Sequence, residues 1–231
     1  MSYERSTRAG LLMALVLLAI SGICSAIPIG LQCGTYDPDL TPVTVPDEFS
    51  KGLDQAEPTD FFIVQFDAPI TPAMRSQLTD QGARILRYIP TYAYLVKMDG
   101  AKCAEMAADG AIYHVEPYQP FFKVSTKLYP YMAAMGGETP EKKAVILTIQ
   151  VFAGEDCDAV SKTIADAGFS AKELAISTNT RGGKIKMSVL ATQLDEFIAF
   201  VSRIKAVEWV EEWSPFELNN HEARWVTQSY L

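Results

Sequence analysis

The sequence predicts an α+β chain of two tandem β-α-β-β-α-β units with antiparallel sheets, behind a signal peptide and a Pro-rich linker. Three observations predict it. The segments AIYHVEPYQPF (111–121) and AVEWVEEWSPF (206–216) share five of eleven residues at a spacing of 95 (206 − 111). The strand-like and helix-like stretches in front of each copy recur in the same order. IVQF (63–66) and IQVF (149–152) are 86 apart (149 − 63), as are Gly82 and Gly168. A constant early spacing that grows at loops is what duplication with insertions leaves behind.

Residues 1–26 open with Arg5 and Arg8, continue as AGLLMALVLLAISGIC and close on CSA at Ala26. The apolar run is too short for a comfortable membrane span. It reads as a secretory signal peptide cleaved after Ala26, and it is set aside from fold reasoning. An uncleaved membrane anchor is the competing reading. A lipoprotein needs a small residue before Cys24, and Ile23 stands there. Residues 27–58 contain Pro38, Pro42, Pro46 and Pro58 among acidic and small polar residues. With no sustained period they read as an extended linker.

The first unit is expected over 59–125. FFIVQF (61–66) is rich in β-branched and aromatic residues and reads as a strand. In the helix that follows, Thr71 suits the N-cap, Pro72 the first turn and Gly82 the C-terminal cap. RILRYI and YAYLVKM are two strands turning at Pro90 and Thr91. AKCAEMAADG is a short helix with Cys103 and Met106 on one face, and AIYHVEPY is the last strand. A bridge is expected over 126–141 and the second unit over 142–216. Its strand KAVILTIQVF precedes a helix from DCDAVSKTIADAGF, with acids where the dipole favours them. AKELAIST and KIKMSVL join through NTRGG, whose Asn179, Gly182 and Gly183 suit a hairpin. ATQLDEFIAFVSRIK carries Leu194, Phe197, Ile198, Val201 and Ile204 at helical spacing, and AVEWVEEW closes the unit. By alternation, Val207, Trp209 and Glu211 share one side of that strand and Glu208, Val210 and Glu212 the other. A sheet with both helices on one side leaves its other side to a partner or to the sister copy. Residues 217–231 form a tail.

Composition narrows the function. The chain is 48% hydrophobic and 21% charged with net charge −8, an ordinary globular composition. No Lys/Arg cluster stands out, so nucleic acid is not expected as a partner. Cys33, Cys103 and Cys157 remain after the leader, an odd number without metal-ligand spacing. Export permits one disulfide among them; the other reading is two buried thiols and one exposed linker thiol. The two histidines, His114 and His221, lack zinc spacing, and His114 sits where the second copy has Trp209. No Ser lies in a nucleophile elbow, and NTRGGK joins two strands rather than a strand and a phosphate-cradling helix. Glu211 and Glu212 are adjacent and face opposite ways in a strand. The chain reads as non-catalytic, with no cofactor and no metal.

FFIVQFDAPI, QGARILRYIPTYAYLVKM, HVEPYQPFFKVS, WVEEWSP and LNNHEARWVTQS resemble the N-terminal prodomain region of secreted bacterial subtilisin-like serine proteases, peptidase family S8, over about residues 58–231. The resemblance implies ferredoxin-like units and a secreted or periplasmic location. It implies a prodomain that is folding template and temporary inhibitor. The partner would be a subtilisin-like protease domain, in cis or in trans, with no membrane after leader cleavage. It implies that the helix-free sheet face docks on the protease. The tail residues Val226, Thr227, Gln228, Ser229, Tyr230 and Leu231 would lie extended in the substrate cleft. Two units where one is usual, and an end at Leu231 without a protease domain, depart from that pattern. A free-standing exported binding or structural module is the alternative.

Overall fold

The structure is a computed structural model and describes residues 27–38, 47–52, 58–108, 110, 112–133 and 144–215. The leader with Ala26, the tail 217–231 with Val226 to Leu231, and parts of the linker and bridge lie outside the described residues.

Two four-stranded antiparallel sheets form, each with two helices. The first unit runs β3 (Thr59–Gln65), α1 (Pro72–Asp80), β4 (Arg84–Ile89), β5 (Ala93–Asp99), α2 (Gly100–Ala108) and β6 (His114–Pro117). After α3 (Tyr129–Ala133), the second runs β7 (Ala144–Val151), α4 (Cys157–Asp166), β8 (Ala171–Asn179), β9 (Gly182–Leu190), α5 (Leu194–Arg203) and β10 (Val207–Glu212). Across the sheets the orders are β4-β5-β3-β6 and β8-β9-β7-β10. In each, the unit's first strand lies between its third and fourth, so the two halves share one strand order.

Local chemistry sets the element ends. Thr71 Oγ1 accepts from the Met74 amide at 3.3 Å. Asp156 Oδ1 caps α4 by accepting from Asp158 N (2.8 Å) and Ala159 N (3.3 Å). In the β8–β9 hairpin, Asn179 Oδ1 accepts from Arg181 N at 2.8 Å, and Gly182 sits at φ 129°. A Cβ at Gly182 would collide with the Val151 carbonyl, so glycine is required there. The turn between β4 and β5 is less permissive. Thr91 and Tyr92 both hold positive φ, 65° and 62°, which disfavours any residue with a Cβ.

The helices cover one face of each sheet. In the first unit Phe62, Val64, Phe66, Val96 and Met98 pack on Leu78, Cys103 and Met106. In the second, Leu147, Ile149, Val151, Ile185 and Met187 meet Val160, Ile164, Phe197, Ile198 and Val201. The expected apolar faces of α2 and α5 are therefore in the core, except that Ile204 caps α5 and is only half-buried.

The repeat spacing needs one correction. Val64 pairs with Val115, and Ile149 with Val210; Gln65 pairs with His114, and Gln150 with Trp209. The fourth strands are thus 95 apart (210 − 115), as read from sequence, but the first strands are 85 apart (149 − 64). The match IVQF/IQVF at 86 is one residue out of phase, which sets a helix-facing residue against a helix-free one. The N-caps Thr71 and Asp156 are also 85 apart (156 − 71). The spacing reaches 86 at Gly82 and Gly168 because α4 has 10 residues to the 9 of α1. The strict alternation expected in β10 also fails. A register shift between Val207 and Trp209 leaves both Val207 and Val210 in the helix-side core.

The linker reading is overturned for its described part. Residues 27–38 hold a hairpin, β1 (Ile29–Leu31) with β2 (Gly34–Tyr36), and Asp47–Phe49 is a 3-10 turn. Ile29 is fully buried against the first sheet, and Phe49 enters the second core. These apolar residues are too sparse to make a period; their positions are fixed by distant partners.

The two units share a third core. Phe61, on the helix-free side of β3, stacks on Phe152 of the second unit with centroids 4.0 Å apart and planes 11° apart. Tyr118, Phe122 and Ile29 complete it. Phe152→Ala should therefore cost about 3–5 kcal/mol in guanidinium unfolding followed by far-UV circular dichroism. A loss under about 1 kcal/mol would mean the stack is not part of the folded state.

All three described cysteines are free thiols, and Cys33 is half-buried rather than exposed. Burial pushes the Cys33 thiol from 9.0 up to about 11 and Cys103 up to about 12. A raised value in the folded state means stability present below pH 9 and lost as pH climbs through 11 and 12. The melting temperature should fall progressively from pH 9 to 11. Cys103→Ala should flatten that fall while lowering stability at pH 7. An unchanged slope in the variant would contradict the assignment.

Candidate functional site

The helix-free faces of the two sheets have opposite fates. On the first sheet this face carries Phe61, Ile63, Gln65, Ala93 and Leu95. The chain itself covers it with β1 and β2, with Tyr118 and Phe122 from behind β6, and with Phe152. Polar contacts close the rim. Arg87 Nη1 meets Glu208 Oε1 at 2.5 Å, and Arg87 Nη2 donates to Tyr118 Oη at 3.4 Å. Lys97 pairs with Glu155, and Arg84 donates to the Ala153 carbonyl. Burial raises the Glu208 carboxyl above its ordinary value, and Arg87 pulls it part of the way back. Burial likewise raises the phenol of Tyr118.

On the second sheet the register places Ile146, Thr148, Gln150, Lys184, Lys186, Ser188 and Leu190 on the face away from α4 and α5. Trp209, Glu211 and the following Trp213 join them from β10, and Lys172, Ala175 and Ser177 from β8. This face is open. Leu190 is 42% exposed and Trp213 37%, and Lys172 and Lys184 are exposed. Lys186 Nζ lies 3.4 Å over the Trp213 ring, a cation–π contact. Trp209 is the exception, buried with Nε1 donating to Glu211 Oε2 at 3.1 Å. Among the described residues, three lysines against one carboxylate make the face basic on a chain of net charge −8.

The shared strand order makes the contrast sharper. Tyr118 N donates to Phe61 O at 2.8 Å, and Trp213 N to Ile146 O at 2.8 Å. These are equivalent positions, 95 and 85 apart. Tyr118 turns into the shared core and is 5% exposed, whereas its counterpart Trp213 stays at the surface. His114 and Trp209 are equivalent too. His114 Nε2 is 3.2 Å from Glu116 Oε2, which reproduces the Trp209–Glu211 contact two residues along the strand. His114 is therefore a strand side chain beside a carboxylate, as its alignment with Trp209 implied.

Other features are modest. A groove of about 500 Å³ lies between α1 and Tyr94, with Arg75 and Ser76 on its wall. Among the described residues no group of three or more His, Cys, Asp and Glu side chains could hold a metal. No described helix is long and apolar enough to cross a membrane. The candidate tail residues Val226, Thr227, Gln228, Ser229, Tyr230 and Leu231, and the candidate cleavage residue Ala26, lie outside the described residues. Sequence reasoning missed the basic character of the open face, because Lys172, Lys184 and Lys186 are scattered along two strands. Their spacing of two in β9 was the available signal.

Comparison with known proteins adds one likeness. Residues 31–119 match a family described as "Domain of unknown function (DUF8729)". The match takes in β2, the described lead from residue 31 onward and the whole first sheet; it begins two residues after the buried Ile29. It spans less than half of the chain. No curated protein matches the chain.

Proposed function

We propose that this chain is an exported, non-catalytic docking protein: the prodomain of a secreted subtilisin-like serine protease, acting as folding template and temporary inhibitor. Both units are taken as ferredoxin-like. The shared strand order, with the first strand between the third and fourth and two helices on one face, supports that. The leader ending at Ala26 would send the chain across a membrane. The tail Val226–Leu231 would occupy the substrate cleft as an added strand.

The observation that carries the reading is the asymmetry of the two sheet faces. Docking requires a surface that the chain has not used for itself. The first unit has spent its helix-free face on β1, β2 and Phe152, so the second unit is the docking module. Its face presents Trp213, Leu190 and Ile146 among Lys172, Lys184 and Lys186. That combination suits an acidic protein surface with apolar contacts at its centre. A partner that binds only as a folded protein is drawn toward its folded state by mass action. The tight join between the units also favours a second reading: a rigid exported binding module unrelated to proteolysis.

Peptide hydrolysis by a subtilisin-type protease, measured with the purified chain added, separates the two. Inhibition at micromolar concentration is expected. Lys184→Glu with Lys186→Glu should weaken it at least tenfold, with the wild-type affinity falling as salt rises. Removal of residues 217–231 should abolish inhibition yet leave binding. Hydrolysis that is not slowed by either the full or the trimmed chain would overturn the prodomain reading.

A further inference from the structure

The start of the described chain is threaded against a buried, incompletely bonded amide. Gln65 is fully buried on the helix-free face of β3. Its Nε2 uses both protons, donating to the Ile27 carbonyl at 2.8 Å and the Thr91 carbonyl at 3.1 Å. Turning the amide over would set its oxygen against two carbonyls, so the orientation is fixed. The oxygen, Oε1, is buried and has no hydrogen-bond partner among the described residues. An acceptor left in that state is costly, and native proteins seldom keep one without a use.

The surroundings fix the next residues as firmly. Thr91 Oγ1 donates to the Pro28 carbonyl, and Ile29 is fully buried. Thr91 and Tyr92 hold their positive φ values in this turn, and Phe66 N ties it down by donating to Tyr92 O at 3.0 Å. A strained turn persists where neighbours over-determine it. Here the neighbours are Ile27, Pro28 and Gln65. Ile27 itself is half-exposed. The pair His114–Glu116 lies on the same face, with His114 directly opposite Gln65.

Ile27 is the residue that leader cleavage after Ala26 would expose. We infer that this cleavage creates a structural N-terminus: the new α-ammonium of Ile27 docks on Gln65 Oε1 and locks the β1–β2 hairpin over the first sheet. The inference rests on the leader reading for the identity of residue 27 as the first residue. An amide nitrogen within a longer chain has one proton in a fixed plane. A free ammonium has three that rotate, and its bond to the amide oxygen is charge-assisted. Gln65 then makes three hydrogen bonds instead of two, two of them to the first residue of the mature chain. Removal of the leader becomes a step in folding, because the hairpin that seals the first sheet is fully clamped only afterwards.

The test uses the full chain with a protease site placed between Ala26 and Ile27 that is cut flush before Ile27. Thermal unfolding is compared for the uncut chain, for the cut chain and for the cut chain acetylated at Ile27. The cut, unmodified chain should melt at least 3 °C above the other two. In Gln65→Met the three should melt together. Equal melting in the wild-type background overturns the docking, and that comparison holds even where Gln65→Met does not fold. So does an equal gain with and without Gln65. N-terminal sequencing of the chain secreted with its own leader tests the other half. A start at Ile27 supports the inference. A start elsewhere overturns the leader reading while the melting comparison still reports on the docking.

Discussion

The fold depends on covering one sheet face. β3 alternates, so it offers Phe62 and Val64 to the helices and Phe61, Ile63 and Gln65 to the other side. The second set is as apolar as the first apart from Gln65. At roughly 25 cal/mol per Å² of apolar surface removed from water, a face carrying two large side chains per strand cannot be left wet in a unit this small. The chain answers with three pieces from different places: the hairpin β1–β2, the stretch holding Tyr118 and Phe122, and Phe152 from the second unit. Joining the units is a consequence of that burial. The ion pairs Arg87–Glu208 and Lys97–Glu155 stand at its rim and set orientation.

Once the first face is sealed, the copies can diverge. Equivalent positions carry Ile63 and Thr148, Phe61 and Ile146, Tyr118 and Trp213. The second copy has less apolar bulk at the centre of its face and carries Lys184 and Lys186 where the first has Ala93 and Leu95. That is the pattern expected of a face in contact with water. Its residual apolar residues, Ile146, Leu190 and Trp213, are more than solubility needs. The Lys186 contact on Trp213 masks part of the ring.

Much of this was legible in the residues, and the failures have physical causes. The α5 pattern from Leu194 to Val201 was decisive because apolar residues at helical spacing leave one orientation. The fourth-strand match at 95 also held, since Val115 and Val210 face the same way in both copies. The first-strand match at 86 misled because IVQF and IQVF share composition but differ in phase, and a period of two punishes a slip of one. Ile29 and Phe49 hid in the lead because each answers to a pocket far away in sequence, Ile29 on the first sheet and Phe49 beside α5. The β10 bulge was invisible for a similar reason: Glu208 is swung out toward Arg87, a partner 121 residues away. Local patterning reports local structure, and the candidate site is made of long-range contacts.

The lead therefore has a mechanical role that its composition conceals. Its first residues bind the turn at Thr91 and the amide of Gln65. Farther on, Phe49 enters the second core, and the Asp47 carbonyl accepts from Arg203 Nη2 at 2.7 Å at the end of α5. One segment thus touches both units on its way into β3. With Ser125 N bonded to Val210 O at 2.9 Å on the far side, the two units are tied by strands of chain as well as by the Phe61–Phe152 stack. Each tie removes a way for the units to turn against one another. The open face of the second sheet is then held at a set angle to the first unit, and to the point where the chain leaves β10 toward its tail. In the proposed role, a docking face and a tail would engage one partner together only if the body between them is stiff. The burial that closes the first sheet supplies that stiffness.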